Sequence, residues 1–427
     1  MFEGLQERLI RVLRWSEKYT KTDMVYLAHG TFWLSGSSII TGAVSFALAL
    51  AFANLLTKDA YGTYKYVLTL FGILCVACLR GMDTAVTQGA ARGNDGTVIS
   101  GLRSKRNWSL LGSLGALAVA AYYFYGGNNI VAIAMIFAAF FIPFMEPYGI
   151  FNAVLVGKRD FKLSSLLGIA GQIAAGIPLV ITLFFTNNPI IIFIVYAASW
   201  TLSRYISLQV TLKKYPPNEK QEPHALSYAL HSSAINASNI LISSLDAILV
   251  YHYLGAAELA LYAFAMAPVQ HARTILNTPA ILATPKFAAQ DTATLKHMLY
   301  KRSLILFGLG IALTLGYCVL AYPFYMIFFP QYIEVVPLSM LFSVTIALMV
   351  GNTLIGSVID SRATLIPRRL LYLWNIPSII MAVGAFLLIQ SFGLWGAIVS
   401  QVLSYASACA IAWVMWYAIR NKDHAPT

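Results

Sequence analysis

The stretch IVAIAMIFAAFFIPFMEPYGIFNAVLV, residues 130–156, decides the fold class of this chain. Glu146 is the one charged residue in it. An α-helix rises about 1.5 Å per residue, so a run of about 20 such residues crosses a hydrocarbon core about 30 Å thick. In water a run this apolar would be an aggregation hazard, and we therefore expect it to cross a membrane.

Similar apolar runs recur along the whole chain. Hydrophobic residues make up 59% of the 427 residues and charged residues 11%, and the mean hydropathy is +0.70. Soluble domains typically carry about 25% charged residues. The sequence therefore predicts an all-α integral membrane protein with about 12 transmembrane helices, at residues 28–56, 61–80, 107–125, 130–156, 164–185, 189–209, 228–254, 258–283, 303–322, 335–358, 371–389 and 393–418.

Basic residues mark one side of this predicted bundle. Lys and Arg lie before the first span, in the turns after the even-numbered spans and in the tail, whereas the turns after odd-numbered spans hold Lys58 and Lys65. By the positive-inside rule both termini are expected in the cytoplasm. The formal net charge of +12 is therefore a topology signal. It does not indicate a nucleic-acid partner, because the charges alternate with membrane segments.

The predicted spans divide the chain into two halves. We expect a cytoplasmic N-terminal segment at 1–27, a six-helix lobe at 28–210, a linker at 211–226, a second six-helix lobe at 227–418 and a cytoplasmic tail at 419–427. The first segment has apolar residues at helical spacing with arginines between them, which favours an amphipathic helix on the membrane surface; a solvated helix is the alternative.

An internal duplication supports the two halves. An offset of 198 residues aligns their first hairpins, placing Ser35 on Ser233 and Tyr64 on Tyr262. Six spans is an even number, so the two lobes should run parallel, related by an axis along the membrane normal. A central cavity between them near the midplane is the expected ligand site.

Residues for enzyme chemistry are not apparent in the sequence. It contains no metal-ligand spacing, phosphate-binding loop or nucleophile motif. Several turns on the less basic side are also too short to carry a catalytic site, including Gly126–Asn129. Cys75 and Cys78 have redox spacing but lie inside a predicted span, where we interpret them as packing residues. We therefore predict neither an enzyme nor a metal protein.

Polar residues form stripes on the seventh and eighth predicted spans. Their spacing of three and four residues places them on one helix face each; they are Ser232, Asn236, Asn239, Ser243 and Asp246 on span seven, and Gln270, Arg273, Thr274 and Asn277 on span eight. A charge inside a bilayer is costly and needs a partner or water. Either Asp246 and Arg273 pair to fasten two helices, or both stripes line a wet cavity in which Arg273 binds an anion.

Glu146 is a further acid inside a predicted span, between Pro143 and Pro147. Proline removes a backbone hydrogen bond and kinks a helix. A kink beside a carboxylate is compatible with a gate or a proton-coupling site, and equally with a purely structural bend around a hydrogen-bonded Glu.

Several segments together resemble one family of membrane transporters. They are ANLLTKDAYGTY at 53–64, GMDTA at 81–85, AAR at 90–92 and LDAILVYHYLG at 245–255. They are similar to polysaccharide exporters and lipid-linked oligosaccharide (O-antigen) flippases of the multidrug/oligosaccharidyl-lipid/polysaccharide exporter superfamily. Members of that family usually carry a basic residue after the Asp of the last motif, where this chain has Ala247, so an ion partner for Asp246 must come from elsewhere.

The resemblance implies a flippase of the bacterial cytoplasmic (inner) membrane that works by alternating access. Its cargo would be an undecaprenyl-diphosphate-linked oligosaccharide for O-antigen, lipopolysaccharide or similar polysaccharide biosynthesis, and other glycan-assembly membrane proteins are candidate partners. The expected substrate-binding residues are Arg273, Asn277, Gln270, Asn236, Asn239, Ser243, Arg80 and Arg204. Glu146 and Asp246 are candidates for coupling to H⁺ or Na⁺, with no other cofactor. The alternatives are a multidrug or cation exporter of the same superfamily and an integral membrane enzyme of glycan assembly.

Overall fold

The structure of the protein is a computed structural model that describes the backbone of residues 24–288, 292–361 and 372–422. Side chains are described over the same ranges apart from residues 24–31, 235, 236, 238, 239, 274, 275, 277–298, 360, 361, 372, 374 and 419–422. The predicted N-terminal surface helix and most of the predicted tail lie outside the described residues.

The described residues fold almost entirely into helices, and no strand occurs among them. The helices up to the predicted linker are α1 Met24–Leu55, α2 Lys58–Leu74, α3 Gly81–Ala91, α4 Thr97–Tyr125, α5 Asn129–Tyr148, α6 Phe151–Gly157, α7 Phe161–Phe185 and α8 Pro189–Lys214. They are followed by α9 Ala225–Ser243, α10 Leu245–Leu254, α11 Ala256–Ala288, α12 Thr292–Phe328, α13 Val336–Ser361 and α14 Ile376–Lys422. Short 3₁₀ turns occupy Cys75–Cys78, Pro330–Val335 and Tyr372–Asn375.

The predicted membrane spans correspond to these helices. Within the described ranges, 9 helices are long and apolar enough to cross a membrane. The last of them, α14, covers two predicted spans. Its two helical parts are separated at Gly393, which has the non-helical dihedrals φ 58° and ψ −135°. Predicted span seven is divided into α9 and α10, and predicted span eight is α11.

Polar side chains at the predicted turns cap the helices. The side chains of Asn128, Asp160 and Asn188 each accept a hydrogen bond from a backbone N–H in the first turn of α5, α7 and α8 respectively. Such caps satisfy N–H groups that have no partner within the helix. The short turns read from the sequence therefore end one helix and begin the next.

The region between predicted spans two and three contains α3, which the sequence analysis treats as a turn. The loop from α3 to α4 binds the predicted linker through several hydrogen bonds. The backbone N–H of Gly96 donates to Asn218 Oδ1 at 3.0 Å, and the N–H of Glu222 donates to Thr97 Oγ1 at 2.7 Å. Asn94 and Arg92 both donate to the Glu222 carboxylate. The linker is therefore fastened to this loop.

The chain divides into two compact units. The first runs to Ala51 and resumes over Leu74–Ala237, and the second comprises Phe52–Ile73 together with the chain from Ser238 onward. A core in the first unit contains Met82, Val86 and Ile150, and one in the second contains Ile355, Val358 and Met415. The lobe boundaries expected at 28–210 and 227–418 stay predictions.

Candidate functional site

A polar cavity of about 430 Å³ lies within the first unit. Seven helices supply its walls: α1, α3, α4, α5, α6, α7 and α8. Its charged and polar lining residues are Ser37, Thr41, Asp83, Lys105, Glu146, Asn152, Ser164, Ser165, Ser203, Arg204 and Ser207. Because hydrocarbon cannot hydrogen-bond these groups, such a cavity within a membrane protein indicates a path or site for a polar solute.

Glu146 lies between two arginines in this unit. Arg204 Nη1 donates to Glu146 Oε1 at 3.2 Å and to the carbonyl oxygen of Met145 at 2.8 Å. Arg80 Nε lies 3.8 Å from Glu146 Oε2. Arg80, in the turn before α3, Glu146 on α5 and Arg204 on α8 thus form one ion cluster, which the sequence could not connect.

The break between α5 and α6 places this carboxylate. Helix α5 contains Pro143 and Pro147 and ends at Tyr148, and α6 begins at Phe151. The N–H of Gly149 donates to the carbonyl oxygen of Glu146 in a tight turn of 3.1 Å. The helix is therefore interrupted at Gly149 and Ile150, just after Glu146, and a kink at Glu146 itself stays a prediction.

Lys105 lies between predicted spans two and three, and its expected place in a solvated turn is wrong. It is counted in the sequence analysis among the basic residues of a cytoplasmic turn, but its side chain is 1% exposed and its Nζ donates to Asp83 Oδ1 at 2.7 Å. Helix α4 begins at Thr97, so Lys105 lies two turns inside it. The signal that could have found this pair is the acid of the GMDTA motif, which needs a cation nearby.

Hydroxyl and amide groups form the rest of the polar wall. Ser164 Oγ donates to Asn152 Oδ1 at 2.6 Å, and Ser165 Oγ donates to the carbonyl oxygen of Trp33 at 3.0 Å. Together with Ser203 and Ser207 on α8, they are groups that hydrogen-bond either donors or acceptors. Such walls suit a ligand rich in hydroxyls.

Asp246 in the second unit is buried and bound by neutral donors. It accepts hydrogen bonds from Tyr262 Oη at 2.5 Å, Gln401 Nε2 at 2.7 Å and the N–H of Ala247 at 2.7 Å. Lys65 on α2 is close enough to interact electrostatically with it. Tyr262 and Gln401 are functional candidates that the sequence analysis missed, and Gln401 lies far along the chain.

Arg273 does not pair with Asp246. Its guanidinium carbon lies 4.0 Å from the centroid of the Tyr405 ring. Its Nε is shielded from solvent and has no hydrogen-bond partner among the described residues. The alternative in which Asp246 and Arg273 fasten two helices as an ion pair is therefore not what the structure shows.

The remaining predicted site residues are only partly described. Ser243 and Gln270 are exposed, whereas the side chains of Asn236, Asn239 and Asn277 lie outside the described residues. The stripe on span seven is not continuous, because α9 ends at Ser243 and α10 begins at Leu245. The break turns Asp246 into the interior while Ser243 stays exposed.

Sites of other chemistry are not found in the described ranges. No group of three or more His, Cys, Asp or Glu there is arranged to hold a metal ion. Cys75 and Cys78 are buried free thiols.

A family model described as "Polysaccharide biosynthesis protein" matches residues 27–290. The chain belongs to this family. The match includes α3, α4, α5 and α8, and therefore the whole ion cluster around Glu146. A search of curated proteins found no significant match.

Several solved transporter structures have the same fold as this chain. The lipid II flippase MurJ, in an inward closed conformation, superposes with a TM-score of 0.68 at 11% identity, covering 92% of this chain and 93% of that chain. An inward-facing multidrug resistance MATE family transporter of the MOP superfamily gives 0.63 at 13% identity, covering 93% and 100%. A MOP superfamily transporter from Pyrococcus furiosus gives 0.53 at 14% identity, covering 92% and 95%. The predicted fold class is confirmed, and these three structures are of two transporters and a lipid II flippase.

Proposed function

We propose that this protein is a flippase that moves an undecaprenyl-diphosphate-linked oligosaccharide from the cytoplasmic to the outer leaflet of the bacterial inner membrane, with both termini in the cytoplasm. Membership of the polysaccharide biosynthesis family supports a glycan cargo, and the fold shared with a lipid II flippase supports translocation of a lipid-linked one. Alternating access between the two lobes is the expected mechanism.

The observation that carries the proposal is an arginine in the second unit whose charge no described acid compensates. Arg273 has no acidic partner among the described residues and presents an unbonded Nε. Arginine binds diphosphates well, because its planar fork of donors matches two phosphate oxygens. Arg273 is only half-buried, but its Nε is shielded from solvent and unbonded, and an oxygen of a diphosphate headgroup would accept a hydrogen bond from it.

The contacts in the polar cavity of the first unit support a glycan cargo. Its lining residues and Arg80 include three cations and two acids, and each acid already has a basic partner. A cationic drug would need a carboxylate without such a partner, so these contacts favour the flippase over the multidrug or cation exporter. The serine and asparagine walls can exchange hydrogen bonds with sugar hydroxyls.

Asp246 is the better candidate for ion coupling. Protonation of Glu146 would leave Arg204 and Arg80 without their counter-charge. The direct hydrogen bonds of Asp246 come instead from Tyr262, Gln401 and a backbone N–H. Lys65 interacts with Asp246 electrostatically but forms no ion pair with it among the described residues. We therefore propose Asp246 as the acid through which H⁺ or Na⁺ couples to transport.

The test replaces Arg273 in cells that depend on this protein for glycan export. Arg273→Ala should abolish delivery of lipid-linked glycan to the outer leaflet while the amount of protein in the membrane stays near normal. Arg273→Lys should retain part of the activity, because it keeps the charge but loses the fork. Arg302→Ala is the matched control, because Arg302 is an exposed arginine on α12, the next helix along the chain. Normal export by Arg273→Ala would refute the anion role.

The double variant Asp246→Ala/Arg273→Ala separates transport from stability. If the two residues stabilised each other, removing both would restore the abundance lost in either single variant. Because they do not pair, we expect no such rescue and no return of export. Recovery of abundance in the double variant would contradict the contacts described above.

A further inference from the structure

A second pocket, of about 250 Å³, lies in the second unit between α12, α13 and α14. Most of its lining is apolar or aromatic, including Tyr300, Leu304, Phe307, Leu348 and Trp413. It shares no lining residue with the cavity around Glu146. Nothing in the proposed transport path accounts for it.

Two polar atoms in this pocket lack partners. Ser303 is 3% exposed, and its Oγ has no hydrogen-bond partner among the described residues. Asn352 Oδ1 is likewise shielded and unbonded. Leaving a buried polar group without a hydrogen bond is unfavourable, and native proteins rarely do so. These two atoms therefore point to a bound group that can both donate and accept.

Water alone does not account for a pocket of this size. A single water needs about 10–15 Å³ of such space and several polar neighbours, and the pocket offers about 250 Å³ with a mostly apolar lining. Genuinely apolar space stays dry. The lining thus suits a molecule with an apolar body and one small polar group.

The side of the pocket marked by Tyr300 is open on the surface of the chain. Tyr300 is 67% exposed and Leu304 62% exposed, and the ring of Tyr300 meets that of Trp413 edge-on, with centroids 6.4 Å apart. Tyr and Trp are enriched where membrane hydrocarbon meets water. A pocket bordered by this pair on a membrane-spanning helix is accessible to lipid.

We infer that this pocket binds a neutral lipid whose polar end is a hydroxyl. The hydroxyl would donate to Asn352 Oδ1 and accept from Ser303 Oγ, and the chain would pack against Leu304, Phe307 and Leu348. The lining contains no charged side chain, so a phosphate headgroup would be desolvated without compensation. Diacylglycerols and polyprenols share the required chemistry.

Gly351 keeps this part of the unit closely packed. A Cβ at Gly351 would lie 2.6 Å from a ring carbon of Phe307. Helices α12 and α13 therefore approach closely next to Asn352.

The experiment uses Cys409, which lines the pocket, as a reporter. The purified full chain in detergent is treated with N-ethylmaleimide, with and without dioleoylglycerol or a C55 polyprenol, and alkylation is quantified by peptide mass spectrometry. Cys318 is the internal control, because it is half-buried but outside the pocket. We expect a hydroxyl lipid to protect Cys409 and not Cys318. The lipid that protects at the lower concentration identifies the source.

The acetylated forms of the same lipids test the hydroxyl. They keep the chains but cannot donate to Asn352, so we expect them to bind about tenfold more weakly. Equal protection by the acetylated lipids, or no protection by any lipid, would overturn the inference.

The variant Ser303→Ala/Asn352→Leu tests the two polar atoms. It removes unpartnered buried groups, so it should be at least as stable as the native chain. It should lose the tenfold preference for the hydroxyl lipid, whereas Ser400→Ala should keep it. Ser400 is a matched control because it is buried with its Oγ already bonded to the carbonyl oxygen of Ala397. If the double variant still preferred the hydroxyl lipid over its acetylated form, neither atom would hydrogen-bond the hydroxyl.

Discussion

Removal of the Glu146 carboxylate should destabilise the protein strongly. The Glu146 side chain is 14% exposed, and those of Arg204 and Arg80 are 24% and 36% exposed. Removing one partner from a buried ion pair typically costs about 3–5 kcal/mol, because the remaining charge stays buried without compensation. Arg204 keeps its hydrogen bond to Met145 and faces the polar cavity. We therefore expect Glu146→Gln to cost about 3 kcal/mol, the lower end of that range.

The assay compares Glu146→Gln with the same substitution in an exposed pair. Glu334 pairs with Lys58, with side chains 56% and 34% exposed. An exposed pair contributes about 0–1 kcal/mol, so Glu334→Gln should change stability little. Free energies of unfolding from sodium dodecyl sulfate titrations of the purified chain give the comparison. The reasoning is refuted if the two substitutions have equal effects.

A double variant checks that the cost comes from charge. In Glu146→Leu/Arg204→Met the cluster loses one acid and one cation, so neither charge is left without its partner. The double variant should therefore be about 1–3 kcal/mol more stable than the sum of the two single-variant effects predicts. Purely additive effects would mean that Glu146 acts through packing alone.

Two further predictions concern single positions outside the site. Burial raises the pKa of the Asp160 carboxyl, but hydrogen bonds from Lys214, the N–H of Leu163 and Tyr215 outweigh it and hold the pKa below its ordinary value. The stabilisation is therefore present above the unfolded pKa of about 3.9 and is lost as the pH falls through the lowered folded pKa. Asp160→Asn should accordingly be less stable than the native chain at neutral pH, with a difference that closes toward pH 3 in unfolding titrations; a gap independent of pH would contradict it. Gly62→Ala should destabilise the protein severely, because its Cβ would lie 1.7 Å from the carbonyl oxygen of Ala256. Gly72→Ala in the same helix is the control: its Cβ meets nothing within 4 Å, and the variant should be about 0.5–1 kcal/mol more stable. Equal thermal midpoints for the two variants would refute the close approach.

The fold class was predictable because its determinants are local. A helix in a bilayer satisfies its own backbone hydrogen bonds, so an apolar run of sufficient length specifies a span without knowledge of its neighbours. Helices α4, α7 and α8 contain predicted spans three, five and six, and α5 covers the larger part of predicted span four. Asn128 and Asn188 cap α5 and α8 where turns were expected.

The candidate site was only partly predictable. Arg80, Arg204 and Glu146 were each singled out from the sequence, but as separate residues. Lys105 was assigned to a basic turn, because the positive-inside rule counts charges near helix ends and does not distinguish a buried ammonium from a solvated one. Its pairing with Asp83 depends on how α3 packs against α4.

The sequence by itself determined the all-helical membrane fold class, the approximate position of most of the spans and the set of charged residues that had to find partners within the protein. Only the tertiary structure decided which partners they have: Arg204 and Arg80 for Glu146, Asp83 for Lys105, Tyr262 and Gln401 for Asp246, and the ring of Tyr405 for Arg273. The physical reason is the sequence separation over which each kind of interaction acts. Hydropathy and helical hydrogen bonds act between residues a few positions apart, whereas a buried charge is compensated by whichever distant helix packs beside it.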